Sequence, residues 1–471
     1  HYAPDTASPA GTLLVRGPYG RRFPFSAVFA EVYAARGYHV VLQSVRGTFG
    51  SGGDFTPMVH EMDDGADTVV WLRDQPWFTG SFATVGLSYL GFTQWALLAD
   101  PPPEMKAAVI TVGPHDMGRS AWGTGSFSLN DYLGWSAMVD RQEEPGQLAE
   151  LNRELRAHAE LARATDELPI GAAGRELLGS GAPWFESWLE HPDRDDPFWD
   201  ALRFDEALER VEVPILLFGG WQDLFLDQTL EQYTQLHRRN VPVALTVGTW
   251  THTQMMTRGL PTVIAESLDW LATHLGGQTG ATRSPVRTHV NGHGWVDLPE
   301  WPPRMGENKL YLHPTGRLAD TPPSPTAPPS SFTYHPARPT PTVGGRLLAR
   351  RSGYRDDTRL AHRSDVLTFT GDPLPADLYV AGTPVVELAH SCDNPNNDVF
   401  VRISEVDAKG RSRNVTDAFR RRGEQHGTLR LELDTVAYRF AAGSRIRLLV
   451  AGGSHPRFAR NLGTGEPQIS G

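Results

Sequence analysis

A serine stands between glycines in "TVGLSYLGFTQW", residues 84–95, with an apolar run before it and a helix-like stretch after it. A serine hydroxyl is a poor nucleophile until a base takes its proton. A glycine-rich strand-to-helix turn is one way to expose such a serine, and its usual pattern is G-x-S-x-G. Gly86 and Ser88 satisfy that pattern, but its last position holds Leu90 and the second glycine comes one place late, at Gly91. Taken alone, the stretch reads equally well as an ordinary turn with a helix-capping serine. Two later segments tip the balance. "VPILLFGGWQDLF" sets Asp223 just past an apolar run, and "VPVALTVGTWTHT" sets His252 just past the next. Serine, acid, histidine is one of the chain orders in which such triads occur. In that scheme His252 takes the Ser88 proton as the oxygen attacks an acyl carbon, and Asp223 orients the imidazole. Water then hydrolyses the acyl-enzyme. The oxyanion needs two donors: the backbone N–H of Tyr89 and, from "VRGPYG", the hydroxyl of Tyr19.

The elements that must position these residues are legible as alternation. "GTLLVRG" (11–17), "HVVLQSV" (39–45), "FATVG" (82–86), "KAAVITVG" (106–113), "VPILLFGG" (213–220) and "VPVALTVG" (241–248) read as buried strands. Helical patterns over 27–37, 61–75, 91–99 and 264–276 lie between or after them. Such alternation predicts a mostly parallel sheet covered by helices. Residues 116–204 break it with helical stretches at 146–168 and 184–191. Beyond about residue 281 the chain turns proline-rich and then shows short period-two runs, the mark of a β-sandwich or jelly roll. The expected fold is an α/β hydrolase domain (1–115 and 205–280) with a helical cap insertion (116–204), plus a C-terminal all-β jelly-roll domain (281–471).

Composition removes several classes. The chain has 471 residues, 44 basic and 55 acidic, and a formal charge of -11. With no Lys/Arg-rich run, nucleic acid is not an expected partner. No apolar run is long enough to span a membrane. The single cysteine, Cys392, permits no internal disulfide and no thiolate metal site, and no histidine pair has metal-ligand spacing, so neither metal nor cofactor is expected. A cytoplasmic location is favoured. His115 and Asp116, in "VGPHDMG", read as a loop pair after a strand rather than as site residues.

Taken together, these segments resemble the cocaine esterase / X-Pro dipeptidyl-peptidase-like (CocE/NonD) family of serine hydrolases. "LLVRGPYG" is similar to its oxyanion-tyrosine segment, "GLSYLGFTQW" to its G-x-S-Y-x-G elbow, "GGWQDLF" to its acid segment and "VGTWTH" to its histidine segment; "PRFARNLGTGE" (456–466) resembles its C-terminal signature. The resemblance implies an aromatic acyl pocket at Trp122, Trp135 and Phe225. It also places a further strand pair ahead of the position of His1. Thr249, Ser44 and Gly20 depart from the family pattern, and none of them holds a catalytic position. The substrate implied is a small-molecule ester or amide, and a homodimer is compatible with it. The leading expectation is a carboxylesterase. An X-Pro dipeptidyl-peptidase, or an amino-acid ester hydrolase or acyltransferase, would use the same triad; carboxylates such as Asp131 and Asp140 in the insertion would then matter. A non-catalytic ligand-binding protein on a hydrolase scaffold is the reading from another class.

Overall fold

The computed structural model describes residues 1–143, 150–278 and 283–469. Its centre is an eight-stranded sheet in the order β2-β1-β3-β4-β5-β6-β7-β8. The strands are β1 (Gly11–Gly17), β2 (Tyr38–Ser44), β3 (Phe82–Leu87), β4 (Met105–Thr111), β5 (Ile215–Gln222), β6 (Val243–Thr251), β7 (Val286–Val290) and β8 (Gly294–Leu298). β1 to β7 run parallel and β8 returns antiparallel. β1 and β5 are buried at every position, as strands covered on both faces must be.

The elements read from the sequence fall close to these bounds, with one correction. β7 and β8 lie in the stretch read as the start of the β-sandwich, yet they extend the large sheet beyond β6. Their short alternating pattern fits a sheet edge as well as a sandwich, and only the pairing partner decides. The expected boundary at 280/281 lies outside the described residues.

Between β4 and β5 the chain is helical, with helices Met117–Trp122, Leu129–Asp140, Glu150–Asp166, Ile170–Leu178 and Trp184–Glu190 forming the cap; the expected helix start at 146 also lies outside the described residues. The C-terminal all-β domain is built of antiparallel sheets. The largest orders Val366–Thr370, Arg445–Ala451, Asn397–Val406 and Ser412–Arg422 side by side, over an apolar core that includes Val399, Val401, Leu431 and Leu448.

The seam between the hydrolase and all-β parts carries charge. Arg346 forks onto Asp227 through two bonds of 2.7 and 2.9 Å, and its Nε lies 3.1 Å from Asp434. Burial pushes the Asp434 carboxyl up to about 7, with Asp227 and Asp417 adding to the rise and Arg346 opposing it. A carboxyl whose folded pKa exceeds its unfolded value holds its proton more tightly when folded. Its stabilisation is therefore complete below about pH 4 and is lost as pH climbs through about 7. Asp434→Asn removes that dependence. Melting curves at pH 5 and pH 8 should show the variant gaining on wild type by roughly 2–3 kcal/mol across the window.

Candidate active site

Ser88 sits in the turn between β3 and the helix Tyr89–Leu98, with φ 57° and ψ −121°. A left-handed φ at a residue with a side chain is strained; here the turn sets Ser88 in the lining of the cleft. Two glycines make the turn possible. A Cβ on Gly86 would lie 2.4 Å from Leu90 Cβ, and one on Gly91 would lie 2.6 Å from Gly113 Cα. The glycine that comes one place late in sequence is thus the residue where the helix crosses the backbone that follows β4. Gly91→Ala should force the two apart, destabilising the protein by about 1–3 kcal/mol and lowering kcat by shifting Tyr89. Chemical denaturation and a kinetic assay on one sample would check both.

Ser88 Oγ lies 2.9 Å from His252 Nε2, and His252 Nδ1 lies 2.7 Å from Asp223 Oδ1. Asp223 is fully buried and follows β5; its Oδ2 accepts the Phe225 N–H at 2.7 Å. His252 directly follows β6 and is buried. The three residues singled out in the sequence therefore form one continuous hydrogen-bonded line from three strand ends.

Tyr19 and Tyr89 flank the serine. The Tyr19 hydroxyl touches the Ser88 side chain and accepts the Trp135 indole N–H at 3.0 Å. An indole only donates, so the Tyr19 proton stays available for the cleft. Burial pushes the Tyr19 phenol up to about 12, with the Trp135 and Ser88 hydrogen bonds pulling the other way; it is a neutral donor throughout the working pH range. The Tyr89 N–H opens its helix, where no helical carbonyl can accept it. The Tyr89 phenol is anchored below: it donates to Glu61 Oε1 at 2.7 Å and accepts the Met58 N–H at 2.7 Å. Glu61 in turn pairs with Arg16 at 3.0 Å, both nearly fully buried. Burial raises the Glu61 carboxyl, opposed by Arg16 and by the Tyr89 bond. In the sequence Glu61 reads only as a first-turn helix acid. Nothing local distinguishes it, because its partner lies 45 residues away on β1.

The line opens into a cleft of about 1530 Å³ lined by Phe25, Met117, Tyr132, Trp135, Trp188 and Phe225 among others. Phe225 stands edge-on to His252 with ring centres 5.5 Å apart. Trp122 is not among the lining residues. It is 4% exposed, packs on Phe127 and donates its indole N–H to the Trp188 carbonyl, inside the cap. Trp188, whose carbonyl accepts that bond, does reach the cleft, as do Tyr132 and Trp135 of the cap. Asp131, carried on the helix Leu129–Asp140, lines the cleft too; Oδ1 accepts from Asn130 and from the Leu348 N–H, and burial raises its carboxyl overall. His115 and Asp116 are structural. His115 is fully buried against Gln232, and Asp116 caps the helix Met117–Trp122. Among the described residues no cluster of His, Cys, Asp and Glu could hold a metal, and no helix is long and apolar enough to cross a membrane.

Comparison with known proteins agrees in fold and family. The model of the X-Pro dipeptidyl-peptidase (S15 family) matches residues 1–254, and that of the X-Pro dipeptidyl-peptidase C-terminal non-catalytic domain matches residues 278–471. Cocaine esterase of Rhodococcus sp. (strain MB1 Bresler) is 29% identical, with 98% of this chain and 89% of that protein aligned. A putative serine esterase of Mycobacterium bovis is 24% identical over 91% of this chain and 80% of its own length. Two solved structures share the fold: an aminopeptidase from a marine sediment Thaumarchaeota archaeon (TM-score 0.82, 23% identity, 99% of this chain and 88% of that one) and an α-amino acid ester hydrolase (TM-score 0.80, 23% identity, 100% and 90%). With its elbow serine, its partnered histidine and both domains matched, the chain belongs to the S15 family of X-Pro dipeptidyl-peptidase-like serine hydrolases.

Proposed function

We propose that the protein is a carboxylic ester hydrolase working through an acyl-enzyme on Ser88, with a flat or aromatic acyl group held in the cleft. The observation that carries this reading is the Ser88–His252–Asp223 line of 2.9 and 2.7 Å at the base of an aromatic-lined cleft. His252 accepts the serine proton as Oγ bonds to the acyl carbon, then returns it to the leaving alcohol. In the second half it takes a proton from water as the water oxygen bonds to the acyl carbon; the bond to Ser88 Oγ then breaks, the acid leaves, and His252 returns the proton to Oγ. The N–H of Tyr89 and the hydroxyl of Tyr19 receive the oxyanion in both halves, and Trp135 and Phe225 supply the acyl-binding walls. Tyr19→Phe should lower kcat about 10²-fold with KM nearly unchanged, the usual cost of one oxyanion donor. Because that phenol stays protonated to about pH 12, the ratio of wild-type to variant rates should be flat up to roughly pH 10.

Asp131 supports a second reading. A buried carboxylate in the cleft suits the ammonium group of an amino-acid ester or an X-Pro peptide, and acyl transfer would use the same intermediate. A panel of p-nitrophenyl esters, amino-acid esters and X-Pro-p-nitroanilides decides. Turnover of neutral aryl-acyl esters is the expected result; hydrolysis of the anilides alone would overturn the esterase assignment. Small-molecule substrates and a cytoplasmic location complete the proposal; a single cysteine in 471 residues suits a reducing compartment.

A further inference from the structure

The segment 343–348 belongs to the all-β domain yet reaches the site. Gly344 and Gly345 have φ of 60° and 89°, and a Cβ on Gly344 would lie 2.4 Å from the Gly353 carbonyl oxygen. Gly345 pairs with Gly353 through both backbone bonds at 2.8 Å, and Arg402 donates to the Val343 carbonyl. This fixed turn delivers two residues to the hydrolase domain. Leu348 lines the cleft. Arg346 takes the other side, holding Asp227 with its fork.

Asp227 is the second residue of the helix Leu226–Arg238, which starts three residues after Asp223. The same turn provides the Phe225 N–H that Asp223 Oδ2 accepts. Arg346 is 7% exposed, and its charge is felt at Asp223. The charged groups around it are Asp227 from the hydrolase sheet side, Arg119 from the cap, and Asp434, Asp417, Arg457 and Arg402 from the all-β side; Asp131 of the cap faces His252 itself.

We propose that Arg346 is a positioning residue for the reaction: from the all-β domain it fixes the turn that carries Asp223 and supplies positive potential beneath the Asp223–His252 pair. The proposal rests on the acyl-transfer reading above. Fluorophosphonate labelling of wild type is therefore run first; an unlabelled Ser88 sinks that reading rather than this one.

The test is the pH profile of kcat/KM on a p-nitrophenyl ester for three variants shown to be folded by near-ultraviolet circular dichroism. Its acid limb reports protonation of the base in the free enzyme. Arg346→Met should lower kcat about tenfold and move that limb to higher pH by roughly half a unit, since loss of a cation favours the protonated base. Asp227→Asn removes an anion and should move it the other way. The shift should be smaller, because the Asp227 side chain is 47% exposed and screened. Arg346→Lys should keep the limb in place while kcat still falls, because an ammonium cannot reproduce the fork. Shifts of opposite sign are what a merely tethering arginine would not give. A folded Arg346→Met with wild-type kcat and acid limb overturns the proposal. So do shifts of the same sign in Arg346→Met and Asp227→Asn. If Arg346→Met does not fold, Asp227→Asn and Arg346→Lys decide: an unmoved limb in the first and an unchanged kcat in the second overturn it.

Discussion

Ser88→Ala should abolish both labelling by a fluorophosphonate probe and ester turnover, with kcat falling about 10⁴–10⁶-fold. The fold should survive, because Ala at this position loses only the oxygen. The strained φ of 57° is imposed by the turn and not by the hydroxyl: the Ser88 N–H donates to the Thr111 carbonyl at 2.9 Å, and its own carbonyl accepts from Gly91 and Phe92. Those bonds are all backbone and persist in the variant. Any residual rate should come from the oxyanion donors and binding, at roughly 10³-fold over water. A variant that labels as wild type does would move the nucleophile elsewhere and take the acyl-enzyme scheme with it. A folded wild type that fails to label would instead revive the reading of a ligand-binding protein on a hydrolase scaffold.

The core of this site is legible in the sequence because its signals are local. β3, β5 and β6 are apolar runs buried on both faces, and Ser88, Asp223 and His252 stand immediately past their ends. A residue at the C-terminal end of a parallel strand is placed by its strand, so reading the strand places the residue. Where placement depends on a distant partner, local pattern is not enough. Trp122 and Trp135 are both aromatics of the cap, yet one turns into the cap and the other donates to Tyr19. Only packing separates them. The helix Leu129–Asp140 escapes the helical patterns read from the sequence, although Leu129, Tyr132, Leu133 and Ser136 are buried at helical spacing; with it goes the placement of Asp131.

Two further omissions have the same cause. The strand Ser412–Arg422 carries Arg413, Arg420, Arg421 and Arg422, which suggest solvent, but Asn414, Thr416 and Asp417 along it are buried and hydrogen-bonded. A buried polar strand is invisible to a reading based on apolar alternation. Arg346 is the extreme case. It is one of three arginines in "GGRLLARR", and its role depends on meeting Asp227, 119 residues earlier.

The second large effect is expected at Asp223. Asp223→Asn should lower kcat about 10⁴-fold while leaving KM and stability little changed. The geometry says why so small a change does so much. Asp223 Oδ2 is committed to the Phe225 N–H and Oδ1 to His252 Nδ1. An asparagine has one acceptor and one donor, and the Phe225 N–H can only be met by the acceptor. Its amide nitrogen must therefore face Nδ1, which then has to accept. The imidazole proton moves to Nε2, the atom 2.9 Å from Ser88 Oγ, and a protonated Nε2 cannot take the serine proton. The alternative flip would set two N–H groups against each other in a fully buried site, which costs about 1–3 kcal/mol. Activity should recover in part at high pH, where solvent hydroxide substitutes for the blocked base. A rate that rises with hydroxide concentration in the variant but not in wild type would mark the wrong tautomer. Asp223→Ala, which leaves Nδ1 free to choose either proton position, should then retain as much activity as the asparagine variant or more. An asparagine variant within tenfold of wild type would show that the carboxylate neither orients nor charges the histidine.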